Sequence, residues 1–156
     1  MANDSFFDET SSLLTSWAFE WVLEAELKRA TRAQEFLTLL VLKTSREWGD
    51  IEVSVDHHTV EQVARVVRNE VRDSDVLGHV DQGVLALLLS GTDSRTSFTV
   101  VERLLQCMDN YAFPEPLRVS LGVACCPTEG ADVGVLKQRA LSNPVVSWCT
   151  GSRHRH

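Results

Sequence analysis

Apolar positions along the chain fall into two spacings, one helical and one extended, and the alternation between them outlines the fold. Over 13–33, LLTSWAFEWVLEAELKRATRA, apolar residues return every three to four positions, which predicts a helix. Two stripes compete on it. Leu13, Trp17 and Trp21 mark one, continued by Glu24 or Leu27; Trp17, Phe19, Leu23 and Leu27 mark the better-filled one. Asp8 or the Ser11–Ser12 pair suits the N-cap, and Lys28, Arg29 and Arg32 suit the negative end of the helix dipole. FLTLLVLK at 36–43 is nearly all apolar and predicts a strand covered on both faces. IEVSV at 51–55 alternates and predicts a short edge strand. HTVEQVARVVRNEVR at 58–72 is the clearest helix, with Val60, Val63, Ala64, Val67 and Val71 on one face.

A hairpin follows. Strands are predicted from Val76 to Val80 and from Val84 to Leu89, joined by Asp81, Gln82 and Gly83, where the glycine supplies the permissive backbone. Residues 97–110 predict a helix with Val100, Val101, Leu104, Leu105 and Met108 inward, interrupted after its end by Pro114 and Pro116. LRVSLGVACC at 117–126 predicts a strand closed by Pro127, and 132–141 a last short helix. The remainder, SNPVVSWCTGSRHRH, has no period and reads as an unstructured or truncated tail over 142–156. Helices alternating with strands imply a layered α/β or α+β domain with helices packed on a sheet.

Length and charge narrow the function. The 156 residues are one domain's worth, 44% of them hydrophobic, which is enough for one core. A formal charge of -7 argues against a nonspecific nucleic-acid surface, so no DNA partner is expected. The polar, acidic start MANDSFFDETSS is no signal peptide and no run reaches membrane-spanning length, so a cytoplasmic location without membrane contact is expected. Cys107, Cys125, Cys126 and Cys149 form no CxxC pair and read as structural thiols. His57 and His58 are adjacent, point different ways on a helix start and lack a third ligand at ligand spacing; His154 and His156 read as a frayed end.

The whole pattern resembles the GGDEF domain of diguanylate cyclases, bacterial enzymes that join two GTP molecules into cyclic di-GMP. FEWVLEAELKRATRAQEFLTLLVL, VARVVRNEVRDSDVLGHV, VLALLLSGTD, VVERLL and VSLGVACCPTEGADVGVLKQRA carry the resemblance, over residues 8–141. It implies an α+β palm of the nucleotidyl cyclase type, a central, mostly antiparallel sheet flanked by helices. The family's Gly-Gly-Asp/Glu-Glu-Phe signature falls on Asp81, Gln82, Gly83, Val84 and Leu85, and no position matches. Val84 stands where an acid belongs, and Lys43 stands at the first acid of the family's other metal stretch, here KTSREW. Valine offers Mg²⁺ no oxygen and a lysine ammonium repels it. The family's Gly-His-x-x-Gly-Asp stretch has become GDIEVSVDHH, and its opening motif TSSLLTS. The departures imply no catalytic residues, no metal site and no Mg²⁺ cofactor.

One binding pattern of the family survives. An Arg-x-x-Asp set five residues before the signature is the family's inhibitory site for cyclic di-GMP, and Arg72-Asp73-Ser74-Asp75 has that form at that spacing. Arg72 suits bidentate contact with phosphate or a guanine Hoogsteen edge, and Asp75 suits the guanine N1 and amino donors. A second arginine usually completes such a site. Arg68, one turn before Arg72 in the predicted helix, is a candidate, with Arg103 and Arg46. The competing reading makes Arg72–Asp75 a surface ion pair in a helix-ending turn, worth about 0–1 kcal/mol.

Three functions are therefore on the table. The first is an inactive GGDEF-like domain receiving cyclic di-GMP, as a monomer or a ligand-bridged dimer, and passing the signal to a protein partner or an output domain of a parent chain. The second is a nucleotide-independent interaction scaffold using an apolar patch around Trp21 or Trp48. The third, a residual cyclase, is the least favoured by the residues.

Overall fold

Leu37 to Trp48 form the central strand, and everything else in the molecule is placed by what pairs with it or packs on it. The structure is a computed structural model and describes residues 6–8, 13–48, 51–81, 83–142 and 144–150. In chain order the elements are α1 (Ser16–Ala33), β1 (Leu37–Trp48), β2 (Ile51–Ser54), α2 (His57–Glu70), β3 (Val76–Asp81), β4 (Val84–Ser90), α3 (Ser94–Asn110), β5 (Arg118–Cys126), α4 (Val133–Ser142) and β6 (Pro144–Cys149). The sheet runs β3-β4-β1-β5-β6, with β2 pairing the far end of β1. The strand pairings are all antiparallel. The expected α+β architecture is what the chain adopts.

The apolar run of β1 is explained by the two layers it separates. Leu40 and Leu42 face one core with Leu85, Leu87, Leu89, Val119, Leu121 and the apolar sides of α2 and α3. Leu37, Leu39 and Val41 face the other with Ala86, Leu88, Ala124 and the apolar sides of α1 and α4. Side chains alternate along a strand, so a strand covered on both faces is apolar at every position. Truncating one of these leucines to alanine costs about 2–5 kcal/mol. Gly122 in β5 shows how tightly the second layer sits: a Cβ there would lie 1.7 Å from the Ala140 carbonyl oxygen of α4.

Several boundaries differ from the sequence expectation. Helix α1 starts later, because the Thr15 hydroxyl caps it, accepting from the Ala18 N–H at 3.3 Å; Asp8 is not the cap, and Ser11 and Ser12 lie outside the described residues. Its buried stripe is Phe19, Leu23 and Leu27, whereas Trp17 and Trp21 are exposed. Strand β1 runs past Lys43 to Trp48 because β2 folds back on its last four residues. Helix α2 ends at Glu70, with Val71 extended, so Arg72 lies beyond the helix. The tail correction is the largest. PVVSWC, read above as tail, is strand β6, paired with β5 from Arg118↔Cys149 to Gly122↔Pro144. It has no alternation to read because it is an edge strand whose place is set by β5. Residues 151–156, His154 and His156 among them, lie outside the described residues, as do Gln82 and the side chain of Trp48. Cys125 and Cys126 are buried, and all four cysteines are free. Among the described residues no helix is long and apolar enough to cross a membrane.

Candidate functional site

The β3–β4 hairpin carries the two candidate regions at its opposite ends. Its turn lies at Asp81 to Gly83, and its open end lies where Asp75 enters β3 and Ser90 leaves β4. Gly83 and Ser90 are seven steps apart along β4, about 23 Å at the rise of a strand. Regions five residues apart in sequence are therefore far apart in space.

At the turn, geometry dominates. Gly83 has φ +73°, a conformation that disfavours a side chain, and its carbonyl accepts from the Thr44 N–H at 3.0 Å and the Thr44 hydroxyl at 3.3 Å. This pins the turn onto β1. Lys43 and Val84 are direct cross-strand partners. The two positions at which the family pattern expects acids thus sit side by side, and they hold an exposed ammonium and a buried isopropyl group. That donor set does not fit Mg²⁺, which takes hard oxygen ligands. Beside the turn is a cavity of about 330 Å³ lined by residues that include Asp8, Ser16, His57, His79, Asp81 and Gly83. The half-buried His79 imidazole lies 3.9 Å from the Asp8 carboxylate. Burial pushes its pKa down, Asp8 opposes that, and His57 adds to it. Among the described residues no group of three or more His, Cys, Asp or Glu is placed to hold a metal.

At the open end, polar groups come together. Asp75 has a side chain only 4% exposed, while that of Arg72 is 60% exposed. One carboxylate oxygen of Asp75 accepts from the Arg72 backbone N–H at 2.9 Å, and the other from Arg72 Nη2 at 3.0 Å. The Asp75 N–H returns a bond to the Arg72 carbonyl at 3.0 Å, which closes the turn that ends α2. Arg72 Nη2 also reaches the Ser90 carbonyl at 3.2 Å and the Thr92 hydroxyl at 3.4 Å. Asp75 thus aims the guanidinium along the end of β4, and both of its carboxylate oxygens are engaged in doing so.

The three other candidate arginines lie in different places. Arg68 is exposed on the last turn of α2, but the helix ends before Arg72, so the expected shared helical face does not exist. Arg46 is bonded to Glu115 at 2.6 Å, nine residues along β1 from Leu37, the partner of Ser90. That is about 30 Å from the open end. Arg103 of α3 donates from Nη2 to the Glu70 carbonyl at 2.9 Å, two residues before Arg72. It caps the same helix end that Arg72 leaves. Ser90, Thr92 and the Arg103 contact were missed in sequence reasoning, since they depend on how β4 and α3 dock. The one available signal was the SGTD turn after β4, which offers hydroxyls without saying what they hold.

No protein-family model matches the sequence, and no curated protein matches it. Solved structures do match. The chain is similar to the GGDEF domain of FimX from Pseudomonas aeruginosa at 18% identity and TM-score 0.73, covering 88% of this chain and 90% of that one. The fold is that of a GGDEF domain. The GGDEF domain of DgcB from Caulobacter crescentus, in complex with c-di-GMP, is similar at 18% identity and TM-score 0.71, over 89% of this chain and 87% of that one. Diguanylate cyclase SiaD of Pseudomonas aeruginosa, solved with its activator SiaC, is similar at 20% identity and TM-score 0.69, over 90% of this chain and 58% of that one.

Proposed function

We propose that this chain is a catalytically inactive GGDEF-fold signalling domain that receives cyclic di-GMP at the open end of its hairpin. The observation that carries the reading is the posture of Arg72. Its guanidinium is held by Asp75, Ser90 and Thr92 yet stays largely exposed. A preorganised, exposed guanidinium binds phosphate or a guanine edge with little ordering cost. Asp75 positions Arg72 in this reading and does not itself read guanine, and Arg103 is the second cation. A cyclic dinucleotide in a solved complex with a GGDEF domain of similar fold supports the ligand class. Catalysis is not part of the proposal. In-line phosphoryl transfer needs metal and cationic clamps on the triphosphate, and Lys43 beside Val84 supplies no metal ligand.

The output passes to a protein partner or to an output domain of a longer chain. A nucleotide-independent scaffold is the second reading, favoured by the exposed aromatic rings of Phe6, Phe7, Trp17 and Trp21. Calorimetric titration of cyclic di-GMP into wild type and Arg72→Ala, with GTP as comparison, separates the two. Saturable binding lost in the variant supports the receptor. No heat and no melting shift with wild type leaves the scaffold. Formation of cyclic di-GMP from GTP and Mg²⁺ by the pure domain would overturn the inactive assignment.

A further inference from the structure

Helix α1 buries one stripe and leaves a second, differently built stripe to solvent. Trp17, Trp21, Glu24, Lys28 and Arg32 follow one another at four- and three-residue steps, so they line one side of the helix, and all five are exposed. The stripe is divided along its length. Its first half is aromatic, with Trp17 56% and Trp21 61% exposed. Phe6 sits edge-to-face on both rings, at centroid distances of 5.7 and 6.2 Å, and fixes them in place. Its second half is cationic. Lys28 is bonded only loosely to Glu24, at 3.4 Å, and Arg32 has no carboxylate partner among the described residues. Exposed tryptophans held in place are the residues that most often anchor interfaces.

We propose that this stripe binds a second copy of the chain, with the two α1 helices antiparallel about a two-fold axis. The argument is complementarity within a single register. An axis between Glu24 and Ala25 sets Trp17 against Arg32 of the partner subunit and, in the same register, Trp21 against Lys28 of the partner subunit. Each tryptophan then meets a cation, an arrangement that attracts through the ring quadrupole. The symmetry doubles the contact, giving four such pairs. At the crossing the exposed Ala25 lets the helices approach closely. The Glu24 carboxylates come near the axis, each facing Ala25 across it and each already paired with its own Lys28. A parallel pairing would oppose cation to cation and leave the aromatic half against itself. The contact is small, two 18-residue helices crossing, which places it among weak, reversible interfaces. It uses no residue of the Arg72 region, so it stands or falls independently of the receptor reading and is tested without nucleotide.

Sedimentation velocity on the nucleotide-free chain, from about 1 µM to about 0.5 mM, should show a monomer–dimer equilibrium with micromolar or weaker affinity. Lys28→Glu and Trp21→Ala should each weaken it by roughly tenfold or more while leaving the melting temperature nearly unchanged, both side chains being exposed. The register is read by oxidising the double variant Trp21→Cys with Lys28→Cys. It should form a covalent dimer much faster than wild type, which carries only the four native cysteines, or either single variant. A chain that stays monomeric throughout, or a dimer untouched by both substitutions, overturns the proposal. A dimer weakened by Trp21→Ala alone, with no crosslink at the double variant, overturns the antiparallel register.

Discussion

The two ends of the β3–β4 hairpin share the same strands and differ in almost everything else. At the turn end, side chains pack or bend: Gly83 is tied to Thr44, Val84 is buried, and Lys43 lies across from it. At the open end, polar groups are bonded and partly exposed: Arg72 is held by Asp75, Ser90 and Thr92, and Arg103 caps the adjoining helix end. The antiparallel register between β3 and β4 joins the two ends, and neither depends on the other's chemistry. The scaffold between them is held by buried leucines on both faces of the sheet. Fold and site are separate properties of this chain.

Breaking each end tests the contrast. The largest effect is expected from Gly83→Val, which forces a β-branched residue to φ +73° with its Cβ 3.3 Å from the Thr44 carbonyl oxygen. A loss of about 2–3 kcal/mol in urea unfolding is expected, with ligand binding by the folded fraction unchanged. Next comes Asp75→Ala, which strips acceptors from the Arg72 N–H and guanidinium and should cost about 1–3 kcal/mol. Asp75→Asn keeps an oxygen for the backbone N–H and should recover much of that stability. Arg72→Ala should change stability by less than about 1 kcal/mol, its side chain being mostly exposed, while weakening cyclic di-GMP binding by roughly tenfold or more.

The smallest effect is in acid. Asp56 and Asp93 cap α2 and α3 and are held below the ordinary carboxylate range, Asp56 first by the Thr59 side chain and Asp93 first by the Thr96 N–H. A lowered folded-state pKa gives stability that is fully present above the unfolded value, about 3.9, and lost as pH falls through the folded one. The melting temperature should therefore fall below about pH 4. The double variant Asp56→Asn with Asp93→Asn should fall less steeply.

Most of the scaffold was legible because its core residues answer to a local period. Val60, Val63, Ala64 and Val67 announce α2, and the apolar run through Leu42 announces a strand with two covered faces. What escaped was set by distant partners. Strand β6 has no period of its own and exists because β5 offers it an edge. Trp17 lay on both stripes read from the sequence, and its exposure shows only once Phe19, Leu23 and Leu27 are seen to fill the core. Arg72 and Asp75 stood out by spacing, and their ion pair in a helix-ending turn was one of the two readings, but the Ser90 and Thr92 contacts were not foreseen. Arg68 looked better placed than Arg103 only while α2 was taken to run through Arg72. The extended backbone at Val71, after Glu70, reverses that order.

The most direct test compares the two ends in one experiment. Hydrogen–deuterium exchange with and without cyclic di-GMP should show protection at residues 70–75, at 90–92 and around Arg103. Residues 79–84 should exchange as before. Protection at the hairpin turn, or no protection anywhere at saturating ligand, would contradict the account that one end of this hairpin binds and the other only turns.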